Sequence, residues 1–134
     1  MLNLIIHKII NIYLHFFPFI DVLNYKIIAK TKLKQLIKNK QILDVGCGDG
    51  NWAYLFSKYA EDVHAFDVNK ILIDNARKNT NIKYFVSSIE DFECNYKYDF
   101  IICMSVLEHI RDDISALKKM KKCLALIRIW QKQR

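Results

Sequence analysis

Apolar and polar positions fall in blocks along this chain, and the blocks change character near residue 40. Residues 1–17 are strongly apolar except at Asn3, His7, Asn11 and His15, each four apart, with Lys8 beside them. That spacing lines the polar groups along one narrow stripe of a helix. Pro18 ends the segment, and residues 23–39 read as a second helix. Beyond residue 40, short apolar runs end near Val45, Phe66, Val86 and Met104, so successive ends lie 21, 20 and 18 residues apart. The stretches between them, 51–60 and 70–79, carry helical spacing. Trp52, Leu55, Phe56 and Tyr59 mark the first inward face, and Leu72, Ile73 and Ala76 the second. A short strand plus a helix of about ten residues fits this period and predicts a parallel α/β sheet. A last helix, from about 111, opens on Asp112 and Asp113 and carries Lys118, Lys119, Lys121 and Lys122 later, the order a helix dipole favours. Ile110, Ile114, Leu117, Lys121 and Leu124 are its expected face.

All three glycines of the chain, Gly46, Gly48 and Gly50, directly follow the run Gln41-Ile42-Leu43-Asp44-Val45. Glycine concentrated there implies backbone that turns tightly and approaches a ligand with no Cβ in the way. Strand, glycine loop and helix form a nucleotide-type site at the carboxyl end of a strand. The spacing is G-x-G-x-G, whereas the dinucleotide fingerprint would place its third glycine at Asn51. A nicotinamide-dependent oxidoreductase is therefore disfavoured. Asp44, two residues before Gly46, suits a ligand bearing an ammonium group better than a phosphate. Asp67, at the end of the second strand, can accept ribose hydroxyls. Its alternative role as a helix cap falls more naturally to Asn69.

The charge pattern supports this. The net charge of +7 divides as +6 over residues 1–40, −5 over 41–110 and +6 over 111–134. The acidic middle coincides with the glycine loop and favours a cationic or hydroxyl-rich ligand. The basic ends read as solvated helix faces, so no nucleic-acid partner is expected. Salt-dependent binding to RNA or anionic vesicles would be the mark of the alternative, a basic adaptor. Residues 1–17 are interrupted too soon for a spanning helix and lack a signal-peptide cleavage site. A helix packed on the domain is the first expectation, and contact with a membrane surface the second. The cysteines, Cys47, Cys94, Cys103 and Cys123, form no metal-ligand spacing and are expected as free thiols in a cytoplasmic, reducing setting.

The segment Ile42-Leu43-Asp44-Val45-Gly46-Cys47-Gly48-Asp49-Gly50 resembles motif I of the class I S-adenosylmethionine-dependent methyltransferases. The resemblance runs from about 35 to 124. It continues through Asp67, Ser87-Ser88-Ile89-Glu90-Asp91-Phe92, Tyr98-Asp99-Phe100-Ile101-Ile102 and Met104-Ser105-Val106-Leu107-Glu108-His109-Ile110. It implies a Rossmann-like parallel sheet of strand order 3-2-1-4 with flanking helices, and S-adenosylmethionine as cofactor. By resemblance, Gly46, Gly48 and Gly50 pass the methionine part and Asp44 supports its amino end. Asp67 holds the ribose, Val68 and Ile89 sandwich the adenine, and Ser88 stands where relatives often carry an acid. His109 and Glu108 lie beside the expected methyl position, where a histidine can serve as general base toward a small-molecule acceptor. Some quinone-precursor O-methyltransferases bind a metal here, but Ser105 replaces the first acid, so no metal is expected.

Three divisions follow: an N-terminal helical segment 1–39, a cofactor-binding α/β domain 40–124 and an atypical tail 125–134. The family fold has seven strands, and after Leu124 no Pro-Gly-Gly type turn leads into a fifth, so the sequence reads as C-terminally truncated. An incomplete sheet would leave the strand at 98–104 with an open edge, inviting self-association. A non-catalytic remnant with weak or no cofactor binding is the alternative to an active methyltransferase.

Overall fold

The computed structural model describes residues 32–125. The polar stripe of residues 1–17, its packing, and nearly all of the 125–134 tail lie outside the described residues. Helix α1 (Lys32–Ile37) leads into β1 (Gln41–Val45), α2 (Asn51–Ser57), β2 (Asp62–Asp67), α3 (Lys70–Asn75), β3 (Ile82–Val86) and β4 (Phe100–Cys103). A short 3-10 turn, Leu107–His109, precedes α4 (Asp113–Cys123). The four strands are parallel in the order β3-β2-β1-β4, with Leu43 between His64 and Ile101 in register. The family resemblance implies this order, and the sheet adopts it.

Alternation along the strands divides the core into two layers. Ile42, Val63, Ala65 and Ile102 face α1, α2 and α3, where Ile37, Ala53, Phe56 and Ile73 meet them. Leu43, Val45, Phe66 and Ile101 face Ala116, Met120 and Cys123 of α4 together with Ile89, Phe92 and Tyr98. Phe66 stacks on Phe92 with ring centroids 4.4 Å apart. His64 is buried in the second face. Its Nδ1 lies 2.8 Å from the Tyr98 hydroxyl, and Nε2 lies 3.3 Å from Asp62 Oδ2 without making a hydrogen bond. Burial lowers its pKa, against the opposing pull of Asp62.

Several boundaries differ from the sequence reading. Helix α2 stops at Ser57, whose hydroxyl donates to the Tyr54 carbonyl at 2.7 Å and competes with continuation of the helix. The Asn81 side chain then donates to the Ser57 and Ala60 carbonyls, taking acceptors the helix end leaves open. Helix α3 ends at Asn75. Ile73 and Ala76 point inward as expected, but Leu72 is 38% exposed. The fully buried residues of α4 are Ala116, Met120 and Cys123; of the expected face, Ile110, Leu117 and Leu124 are partly buried against the core, whereas Ile114 is 61% exposed. Ala116, Met120 and Cys123 share the core cluster with Leu43, Val45, Phe66 and Ile101, and flexible Met120 fills space among them.

Strand β4 is shorter than the apolar run 98–104. Tyr98 instead turns to the opposite edge, where its N–H donates to the Cys123 carbonyl at 2.9 Å and its carbonyl accepts from Ala125 at 2.8 Å. Tyr98 and Leu124 form an isolated parallel bridge there. The cysteine expectation also needs correction. Cys94 and Cys123 are joined as a disulfide, while Cys47 and Cys103 are free. The fold brings the last residue of α4 beside the β3–β4 connection, a proximity that spacing along the chain cannot show.

Candidate cofactor site

The site forms where β1, β2 and β4 end together. The glycine loop is fastened to β2 by Gly46 and Cys47, whose N–H groups both donate to the Phe66 carbonyl at 2.8 and 3.0 Å. Gly48 donates to Asp67 Oδ2 at 2.9 Å, and Asn69 N–H donates to Asp67 Oδ1 at 2.8 Å. Each carboxylate oxygen keeps a further lone pair for a hydroxyl donor. Asn69, as expected, caps α3 by accepting from Ile71 and Leu72. A Cβ built on Gly48 would meet nothing within 4 Å, and φ there is +56°. The loop is therefore open at Gly48, so a ligand can lie against the backbone.

Asp44 lies under the loop, 2% exposed, and accepts from the Ala53 backbone N–H in the first turn of α2. Its Oδ2 has no partner. Burial, reinforced by the negative charge of Asp67, pushes its pKa from 3.8 up to about 7. A buried carboxylate with an unpaired oxygen is a site for a cation or a hydrogen-bond donor. Burial also pushes the neighbouring Cys47 and Cys103 thiols up, so neither is poised as a thiolate nucleophile.

A cavity of about 450 Å³ opens beside the loop. Asp67, Val68, Ser88 and Ile89 line one side of it, and Ser105, Val106, His109 and Arg111 the other. Gly46 completes the wall, whereas Asp44, Gly48, Gly50 and Glu108 are not part of the lining. Val68 is 69% exposed at the mouth and Ile89 is buried at 4%. The Ser88 hydroxyl donates to Asp91 Oδ2 at 2.8 Å and accepts from the Asp91 N–H at 3.1 Å, so it is already engaged with a local turn. His109 reaches the cavity and Glu108 does not. Glu90 and Arg111 line the walls as well, a placement that sequence reasoning missed. Glu90 lies within a recognised segment and Arg111 directly after one, and only the folding of two loops toward each other signals their place in the walls.

A parallel sheet with a glycine loop, a carboxylate at the end of β2 and a cavity at the carboxyl ends of the strands defines a Rossmann-like domain for a nucleoside cofactor. Residues 22–127 match the methyltransferase domain family, and the chain belongs to that family. It is 35% identical over 96 residues to the ubiquinone biosynthesis O-methyltransferase of Actinobacillus pleuropneumoniae, covering 63% of this chain and 41% of that protein. The enzyme of the same name from Coxiella burnetii is 35% identical over 98 residues, covering 69% of this chain and 41% of the relative. The chain thus spans about 41% of the length of these curated relatives. The plantazolicin methyltransferase BpumL, solved with S-adenosylhomocysteine (SAH), superposes with a TM-score of 0.62 at 26% identity, over 72% of this chain and 40% of that one. The YcgJ protein of Bacillus subtilis shares the fold, with a TM-score of 0.63 at 22% identity, over 74% and 44% of the two chains. S-adenosylmethionine is the cofactor this family membership implies. The residues present fit it: the unpaired Asp44 oxygen suits an ammonium group, and the open backbone at Gly48 leaves room for the ligand.

Proposed function

We propose that this domain binds S-adenosylmethionine and supports methyl transfer to the oxygen of a small-molecule acceptor. The observation that carries this reading is Asp67. Its carboxylate is held at the cavity by Gly48 and Asn69 while retaining acceptor capacity toward it. In this reading Asp67 receives the two ribose hydroxyls, Asp44 the amino group, and Val68 and Ile89 bracket the adenine. Ser88, already bonded to Asp91, offers the adenine at most a remaining lone pair. The bound cofactor supplies a methyl group activated by its sulfonium. The protein contributes alignment of the acceptor and exclusion of water, and alignment accounts for much of such rate enhancements. His109 takes the acceptor's proton, and Glu108 shapes the turn that presents it. The oxygen acceptor is suggested by the names of the curated relatives.

Asp67→Ala is expected to weaken SAH binding at least tenfold in calorimetry, since hydrogen bonds to a charged group contribute about 1.5–3 kcal/mol each. His109→Ala should leave that affinity nearly unchanged. Equal losses in the two variants would refute the assigned roles.

A second reading, cofactor binding without turnover, is favoured by one observation. Among the described residues no partner orients the His109 ring, which is exposed, and a general base works best when held by a third group. SAH binding without methyl transfer to any phenolic acceptor would select it. Among the described residues, the outer edge of β4 from Phe100 to Cys103 has no neighbouring strand. We propose self-association through that edge, and sedimentation should show species larger than a monomer. A single monomeric boundary would exclude it.

A further inference from the structure

The connection from β3 to β4 supplies Ser87, Ser88, Ile89 and Glu90 to one wall of the cavity. The facing wall, from Ser105 to Arg111, runs directly into α4. Both walls therefore depend on how the β3–β4 connection sits against α4. Besides the Tyr98 backbone bonds to Cys123 and Ala125 and the packing of Ile89, Phe92 and Tyr98 against α4, three side-chain ties fix that relation among the described residues. Lys119 Nζ donates to the Glu90 carbonyl, Lys97 Nζ donates to the Lys122 carbonyl, and Cys94 is joined to Cys123. The two lysine ties are on flexible surface side chains, and such contacts contribute little. The cysteine tie is covalent. Its Cα atoms are 5.6 Å apart, a separation a disulfide spans with no backbone movement. The same separation accommodates two reduced thiols, so the fold can hold either state.

The two sulfurs differ in access. Cys94 is half-buried on the connection, whereas Cys123 is fully buried at the end of α4. Cys94 is thus the thiol that an external reagent meets, and Cys123 the one that resolves it.

We propose that Cys94 and Cys123 form a reversible redox clip that holds the Ser87–Glu90 wall against α4 and thereby sets how tightly the cavity grips its ligand. The oxidant is a small-molecule disulfide of the glutathione type. The Cys94 thiolate attacks one of its sulfurs, and one glutathione thiol leaves. The Cys123 thiolate then attacks the Cys94 sulfur of the mixed disulfide, releasing the second glutathione thiol. One disulfide is consumed, one is formed, and the two cysteine protons end on the released thiols. Excess thiol runs the sequence backward. With the clip closed, less ordering of the wall remains to be done when ligand binds, so affinity rises.

The test uses the full chain, oxidised with glutathione disulfide or reduced with dithiothreitol. Peptide mapping should find Cys94 linked to Cys123 in the first sample and both alkylatable in the second. Backbone amides of residues 88–97 should exchange about tenfold more slowly in the oxidised chain. Oxidation should raise Tm by on the order of 10 °C. SAH should bind the oxidised form about threefold to tenfold more tightly. Cys94→Ser, at the half-buried position, should abolish every one of these differences without disturbing the buried Cys123. The affinity arm rests on the methyltransferase reading, and the mapping and exchange arms do not. Slower exchange with no SAH binding in either state would support the clip and refute the cofactor reading. Pairing of other cysteines, or equal exchange in both states, would overturn the clip itself.

Discussion

Gly46→Ala is expected to destabilise the folded chain by about 2–5 kcal/mol, from left-handed backbone strain and overpacking together. The residue sits at φ +68°, and an added Cβ would come within 2.2 Å of Val106 Cγ2 and 3.2 Å of Val106 Cβ. Neither neighbour can yield easily. The loop is pinned by the paired hydrogen bonds of Gly46 and Cys47 to the Phe66 carbonyl, and Val106 packs against the core layer under α4. Urea unfolding should show the loss as a lower midpoint with an unchanged slope. Adding Val106→Ala should relieve the steric part and leave the backbone part. The double variant should therefore be less destabilised than the two single variants summed. Strict additivity, or a parent-like midpoint for Gly46→Ala, would mean that the loop has room this geometry denies.

The second large effect is a pH dependence centred on Asp44. An acid whose folded pKa is raised binds its proton more tightly in the fold than in the unfolded chain. Its contribution to stability is then best below pH 4 and declines as pH rises toward the folded pKa. For Asp44 the window runs from 3.8 to about 7. At about 1.4 kcal/mol per unit, the charge on Asp44 costs the ligand-free fold on the order of 4 kcal/mol above pH 7. Other carboxylates titrate with the opposite sign, so the measurement is the difference between the parent chain and Asp44→Asn. The stability advantage of Asp44→Asn should grow between pH 4 and pH 7 and then level off. SAH should reverse the trend, because its ammonium group pairs with the ionised carboxylate. The affinity of the parent chain should rise from pH 6 to pH 8, and that of Asp44→Asn should not. A parent and variant whose stabilities run parallel through this range would show that Asp44 does not carry the buried charge.

Both expectations start from one nine-residue segment that was legible in the linear chain. The regular spacing of apolar runs and the clustering of every glycine after Val45 specify strand, loop and helix. The parallel sheet follows because short strands separated by helical stretches can pair only through crossovers. Asp44 was recognisable by its place two residues before Gly46, and Asp67 because it ends the second predicted strand. These are local properties, set by period, turn chemistry and backbone freedom.

What remained hidden depends on contacts between distant segments. On α4 the expected Leu117 and Leu124 do pack beside the core, but the fully buried positions are Ala116, Met120 and Cys123, and Ile114 stays exposed, because the facing residues of distant segments set which part of the helix surface is covered. The walls formed by Glu90 and Arg111 depend on two loops meeting over the strand ends, and no periodicity encodes that meeting. Cys94 and Cys123, 29 residues apart, lack any motif that announces a pair. Apolar period and glycine placement specify the parallel sheet and the loop that faces the ligand, and the family resemblance supplies the strand order. Folding alone brings Glu90 and Arg111 into the cavity and Cys94 to Cys123, because each such meeting joins residues whose separation along the chain carries no signal.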